Sequence, residues 1–271
     1  MKGIREFRDE VWRHWRESGR HDLPWRKTKN PYRILVSEVM LQQTQVPRVI
    51  GKYKEFLKAF PTVQKLAAAK LPDVLKIWSG LGYNRRGKYL HDSAKIIVRE
   101  YGGRIPKAAA ALRSLPGIRD YTASAVRVFA FNEPDILIET NIRTAYIYQF
   151  FNVGSYDLPI LDVDIHIVAA EAAEGSPPAG GPREWHWALM DYGAHLKRSG
   201  VRNNSRSAHY TKQSKFEGSL RQVRGEILRA LARGEKHNDL RCRYGEKFEL
   251  ALVGLAHDGL IVKEKGKWRI A

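Results

Sequence analysis

Leu115-Pro116-Gly117-Ile118-Arg119-Asp120-Tyr121-Thr122-Ala123 is the stretch on which the fold turns. An amphipathic segment, predicted helical over Lys107–Leu115, runs into Pro116-Gly117, and a second helix is predicted over Asp120–Phe131. Pro followed by Gly makes a tight turn, because Pro presets one dihedral and Gly accepts the left-handed one. A small-residue turn lets backbone come close to an anion, and the N-terminus of the next helix attracts it. Gly117, Arg119 and Thr122 are therefore candidate phosphate contacts. As a bare pattern the segment is equally an ordinary pair of helices joined by a short turn.

Outward from this turn the chain reads as helix after helix, with Pro or Gly at most breaks. An opening helix covers Ile4 to Glu17. Asn30-Pro31 supplies an N-cap and a first-turn proline for a helix through about Val46. Further helices are predicted near Pro47–Phe60, Thr62–Lys70, Pro72–Ser79, Arg85–Tyr101 and Glu184–Arg198, with a flexible loop at Gly175–Pro182. From about Phe216 the texture changes. Basic helix Ser219–Ala232 and helix Gly245–Asp258 precede the alternating segment Leu260–Ile270, a β-hairpin turning at Gly266. Helices followed by a hairpin suggest a winged-helix module whose helix enters the major groove. A structural cap on the helical body fits the same pattern.

The formal net charge of +18 points to a polyanionic partner, nucleic acid before an acidic membrane, since the basic residues are spread through several helices. From Lys197 onward 18 basic residues face 8 acidic ones. No run approaches the roughly 18 apolar residues of a membrane span, and no signal core follows Met1-Lys2-Gly3. A cytoplasmic, nucleoid-associated monomer is expected. Cys242 is the only cysteine, which excludes an internal disulfide and a four-thiolate cluster. His186, His195 and His209 lack zinc-ligand spacing, so no metal site is expected from them.

Three further segments carry chemistry. In Ser37-Glu38-Val39-Met40-Leu41-Gln42-Gln43-Thr44, helical spacing places Glu38 and Gln42 on one face. There an acid can donate a proton while Gln42 and Gln43 fill the space left by an extruded base; a solvated helix face is the plain alternative. Trp78-Ser79-Gly80-Leu81-Gly82-Tyr83-Asn84 holds an aromatic tip on glycines, with Arg85, Arg86 and Lys88 behind it. That suits a wedge with phosphate contacts, or simply a buried tyrosine. Ile136-Leu137-Ile138-Glu139-Thr140-Asn141 delivers an acid to a helix start, where it can face a developing sugar cation or serve the helix dipole.

Together these segments, with Gly19-Arg20…Leu23-Pro24-Trp25 and Ala188-Leu189-Met190-Asp191-Tyr192-Gly193-Ala194, resemble the MutY family of adenine DNA glycosylases in the helix-hairpin-helix superfamily. The resemblance runs from about Gly19 to about Glu217. It implies a mainly α, two-domain helix-hairpin-helix glycosylase fold with the active site in the interdomain cleft. The domains would be residues 29–138, residues 1–28 plus 139–215, and a winged-helix-like module at 216–271. It implies that Glu38 protonates the departing adenine and that Glu139 stands where the family places an oxocarbenium-stabilising aspartate. Asn141 and Tyr121 would be neighbouring site residues, Gln42 and Tyr83 intercalating residues, and Arg20 and Trp25 neighbours of the base pocket. The partner would be duplex DNA with a mispaired or damaged base.

Several departures accompany the resemblance. Glu139 replaces Asp, and Trp187 replaces a glutamine that reads adenine, which leaves thymine, uracil or hypoxanthine as alternative bases. A catalytically silent lesion-binding protein is the reading from another class. Tyr121 stands where bifunctional relatives carry a Schiff-base lysine, so base release without strand cleavage is expected. Arg119 replaces the second hairpin glycine, a strained choice if its φ were positive. The four cluster cysteines are absent, so no iron–sulfur cluster is expected, while the hairpin is compatible with a monovalent cation.

Overall fold

The computed structural model describes residues 3–151, 159–174, 180–211, 215–235 and 238–271. It divides into two compact units, residues 1–34 with 119–212, and residues 35–118 with 213–271. These limits differ from the expected 29–138, 1–28 plus 139–215 and 216–271. The C-terminal segment belongs to the second unit because it shares a core with it.

In the first unit, α1 (Ile4–Ser18), α8 (Asp120–Phe131), α9 (Thr140–Phe150), α10 (Asp162–Ala173) and α11 (Gly181–Arg198) pack together. Aromatic side chains fill their centre. Phe7 of α1 meets Tyr146 of α9 at 5.3 Å and Trp185 of α11 at 6.3 Å, and Trp12 meets Trp185 at 5.5 Å. Such tilted and edge-on pairs add to the burial of large apolar area. Gly193 of α11 is required by proximity: a Cβ there would stand 1.9 Å from the Asn141 carbonyl oxygen of α9. α10 was not foreseen. Residues 175–179 of the expected loop lie outside the described residues.

The second unit holds most of α2 (Pro31–Leu41), then α3 (Val46–Ala59), α4 (Val63–Ala67), α5 (Leu71–Trp78), α6 (Arg85–Tyr101) and α7 (Ala109–Arg113). Trp78 is fully buried, and Gly87 of α6 gives it room, since a Cβ would lie 2.9 Å from the indole. The C-terminal part comprises α12 (Leu220–Arg233), α13 (Asn238–Tyr244), α14 (Glu246–His257) and the strands β1 (Ile261–Glu264) and β2 (Lys267–Ile270). The strands pair antiparallel, Ile261 opposite Ile270, through a two-residue turn in which Lys265 and Gly266 both have positive φ. That is the turn chemistry a twisted hairpin favours. Val223, Ile227, Phe248, Leu252, Leu255 and Ile270 form the core of this part, and Leu75 of α5 joins it.

One expected span needs correction. The helix begun at Asn30, whose side chain accepts from Arg33 N–H at 3.1 Å, stops at Leu41 and not near Val46. Gln43 adopts φ +53. The cause lies 44 to 47 residues away: the Arg86 guanidinium donates to the carbonyls of Val39, Met40 and Gln42 at 2.9, 2.9 and 2.5 Å. A cation on the last carbonyls closes a helix C-terminus and suits its dipole.

Candidate active site and DNA-binding elements

The hairpin forms as the sequence implies. Ile118 N–H donates to Leu115 carbonyl at 3.1 Å across Pro116-Gly117, and Gly117 has φ +75. Only glycine fits, because a Cβ would meet the Tyr89 ring at 2.7 Å. Ser93 Oγ donates to the Pro116 carbonyl at 3.0 Å and fixes the turn from α6. Arg119 is exposed, has φ −103 and precedes α8 as its N-cap without a side-chain cap bond. The strain foreseen for a non-glycine here does not arise. Tyr121 is half-buried on the first turn of α8. The Thr122 side chain is buried, so only its backbone faces the turn at which the anion was expected.

Glu139 is the N-cap of α9. Its Oε1 accepts from the N–H groups of Asn141 and Ile142 at 2.8 and 2.9 Å, and Asn141 Nδ2 donates to its Oε2 at 3.3 Å. Lys197 Nζ, one turn beyond Gly193 on α11, donates to Asn141 Oδ1 at 3.3 Å. Burial pushes the Glu139 carboxyl above the usual carboxylate range; the two N–H bonds, Lys197 and Arg143 oppose this without cancelling it. The segment leading to Glu139 is pinned twice. Arg127 grips Asp135 at 2.7 and 2.9 Å, and Leu137 N–H donates to His186 Nε2 at 3.1 Å. His186 Nδ1 donates to Pro182 carbonyl at 2.7 Å, and burial lowers this imidazole to about 4, so it stays neutral. Lys197 and His186 thus belong to the site's frame, though only long-range proximity identifies them.

Near the N-terminus, Asp191 gathers the motif around Trp25. It accepts from the Arg20 backbone N–H at 2.7 Å and Nε at 2.6 Å, and from both terminal nitrogens of Arg26 at 2.8 and 3.0 Å. Burial would raise Asp191, but the hydrogen bonds and charge of Arg26, then Arg20, hold it below the usual range. Arg26 faces the rings of both Trp15 and Trp187, at 5.2 and 5.5 Å, and Trp187 stacks on Phe129 at 5.7 Å. Trp187 lines a cavity of about 440 Å³ with Arg26, Lys27, Lys29 and Arg183. Trp25 and Arg20 do not line it; Trp25 is buried in the short turn Pro24–Lys27, and the Arg20 guanidinium is engaged by Asp191. Neither Glu139 nor Asn141 lines it. This cavity is therefore separate from the Glu139 network.

In the second unit Glu38 is buried on α2, Gln42 follows the helix end half-buried, and Gln43 is exposed. The expected shared helical face of Glu38 and Gln42 is lost because the helix ends between them. Tyr83 sits at φ +47 on a tip flanked by Gly80 and Gly82, also at positive φ. Arg86 corrects an expectation outright. It is buried, its nitrogens also reach Thr44 Oγ1 and the Leu81 and Gly82 carbonyls at 2.9, 3.2 and 3.1 Å, and burial lowers it to about 10. It binds backbone, not phosphate. Lys88 pairs with Asp92 at 2.6 Å and Arg85 with Asp258 at 3.1 Å, so both expected phosphate contacts already face a carboxylate. In the C-terminal part, α14 opens with Glu246 and Glu249 and exposes Leu250 and Val253.

A helix-hairpin-helix with a half-buried acid capping the start of α9 points to a class, the helix-hairpin-helix DNA glycosylases. Residues 36–175 match the HhH-GPD superfamily of base excision DNA repair proteins. The chain is 36% identical over 233 residues to an adenine DNA glycosylase of Mycolicibacterium smegmatis, covering 80% of this chain and 78% of the relative. It is 34% identical over 198 residues to the adenine DNA glycosylase of Mycobacterium tuberculosis, covering 72% and 63%; of the Buchnera aphidicola enzyme it spans about half, 48%, at 36% identity. Among solved structures, a thermostable thymine-DNA glycosylase aligns with TM-score 0.61 at 24% identity, over 76% of this chain and 96% of that one. An endonuclease III bound to DNA aligns with TM-score 0.54 at 17% identity, over 72% and 86%. The chain belongs to the HhH-GPD superfamily and is a DNA glycosylase. No helix among the described residues is long and apolar enough to cross a membrane. Cys242, the one cysteine of the sequence, is exposed.

Proposed function

We propose that the chain excises adenine from mispaired duplex DNA and leaves the strand uncut. The observation that carries this reading is the Glu139 carboxyl held by backbone N–H groups beside Asn141 and Lys197, in a chain whose relatives are adenine DNA glycosylases. Glu38 delivers a proton to a ring nitrogen of the extruded base, and the N-glycosidic electrons leave with that base. Glu139, ionised, faces the oxocarbenium ion; water then adds to the sugar carbon and loses a proton, which leaves free base and an abasic deoxyribose. A positioned acid contributes about 10²–10⁴ in rate, and a fixed charge facing the cation a comparable factor. Flipping costs least at a mispair, which supplies part of the selectivity. Tyr121 offers a phenol where a strand-cleaving mechanism needs an amine. The protein works as a monomer without an iron–sulfur cluster, so the purified chain should contain no stoichiometric iron.

Trp187 favours a second reading of the same chemistry, with thymine, uracil or hypoxanthine as the base, because an indole stacked on Phe129 cannot reproduce a glutamine amide. A panel of mispaired duplexes, developed by alkali and in parallel without it, tests both. Adenine release with breaks only after alkali is expected. Release of another base while adenine stays intact overturns the specificity, and breaks without alkali overturn the uncut strand.

A further inference from the structure

Arg221, at the start of α12, reaches Tyr83 across 138 residues of sequence. Its Nη1 donates to the phenol oxygen at 2.6 Å, and its guanidinium carbon lies 5.4 Å from the ring centre. Arg86 faces the same ring at 5.5 Å. Tyr83 holds φ +47, a conformation that persists for a bulky residue only where its surroundings over-determine it. A second tie lies close behind the tip. Asp258, after α14, accepts from Arg224 of α12 and from Arg85, the first residue of α6. The third is apolar: Leu75, on the helix that leads into the tip, belongs to the core of the C-terminal part. The tip, the helix before it and the helix after it are all fastened to one small module.

We propose that the C-terminal module braces the loop tip, with Arg221 as the positioning residue that presents Tyr83 to the base stack. The inference rests on the reading of Tyr83 as an intercalating residue and adds the element that sets its orientation. A guanidinium suits the task because it can lie over an aromatic face and donate in its own plane at once; an ammonium offers a point charge. Two of the four arginines of α12, Arg221 and Arg224, are thereby directed to the tip and its flank, and the module's role does not require that it read DNA itself.

The test uses the full chain with Arg221→Met, which keeps the aliphatic packing, Arg221→Lys, Tyr83→Ala, and the Tyr83→Ala/Arg221→Met double variant. Single-turnover base release is read beside the fluorescence of 2-aminopurine placed next to an adenine mispair, which reports unstacking. Arg221→Met is expected to lower both by about tenfold, within the range of contacting pairs. Arg221→Lys should recover little, and the double variant should be no worse than Tyr83→Ala. Full additivity in the double variant, or an unchanged 2-aminopurine signal for Arg221→Met while Tyr83→Ala is impaired, overturns the brace alone. A Tyr83→Ala protein with undiminished unstacking overturns the intercalation reading and the brace with it. Thermal melting separates these outcomes from misfolding, and should Arg221→Met fail to fold, Arg221→Lys against Tyr83→Phe reads the same coupling.

Discussion

Two helix ends show opposite solutions to one electrostatic problem. At the end of α2, just beyond Glu38, a cation closes the last carbonyls: Arg86 donates to Val39, Met40 and Gln42. At the start of α9 an anion closes the first N–H groups: Glu139 accepts from Asn141 and Ile142. Both obey the helix dipole. They differ in what is left over. Arg86 is consumed, with its terminal nitrogens committed to backbone and to Thr44, so it can do nothing but hold the chain. Glu139 meets two N–H groups and one amide and keeps lone pairs and a charge for chemistry. A buried ion that saturates its partners is a structural part. A half-buried one that does not, like Glu139, is free to act.

The largest expected effect falls on the acid that the Arg86 clasp supports. Glu38→Gln should lower base release by about a thousandfold, within the range for a lost proton donor, while DNA affinity is retained. Release that persists would remove Glu38 from the mechanism; no release in either protein would leave a lesion-binding protein. Glu139→Gln comes next, with a loss of about a hundredfold. Its stability should behave in the opposite way. Because burial raises the Glu139 carboxyl, the folded state binds its proton more readily than the unfolded chain, so stability is present at low pH and is lost as pH rises through the folded value. Melting temperatures of wild type and Glu139→Gln should therefore diverge in favour of Gln as pH rises above the usual carboxylate range. A difference in melting that does not change with pH would contradict the raised carboxyl. The same shift predicts that activity falls on the acid side at a higher pH than an ordinary glutamate would give.

Arg86→Ala sharpens the contrast from the other side. It should cost about 3 kcal/mol, because several buried carbonyls lose their donor, and urea unfolding measures it. A variant as stable as wild type would mean that the end of α2 is set by something else. The smallest effect concerns the surface. DNA affinity should fall steeply with salt, since Lys and Arg displace counterions. Arg85→Ala should reduce that slope by less than one phosphate contact, because Asp258 already pairs with it.

Much of this was legible along the chain. Gly117 at positive φ, the α8 limits Asp120–Phe131, the Asn30 cap and the Gly266 turn follow from neighbours in sequence, whose dihedral and capping preferences are local. Glu139 at a helix start was equally legible, since an apolar run ending in an acid before a helix has few other meanings. What failed was everything that depends on a distant partner. Arg86 reads as one of three equivalent basic residues behind Tyr83, yet helical geometry turns it inward onto α2 while Arg85 and Lys88 find carboxylates outside. Lys197 and Arg221 gave no local signal at all.

The amino-acid order alone therefore determined the helices, the hairpin, the basic charge and the two acids, because capping, turn chemistry and spacing act over a few residues. Only the tertiary structure decided which ions remain available. That choice is made where a charge drawn out of solvent must find its partner, and for Arg20, Arg86 and Arg221 the partner lies 171, 44 to 47 and 138 residues away.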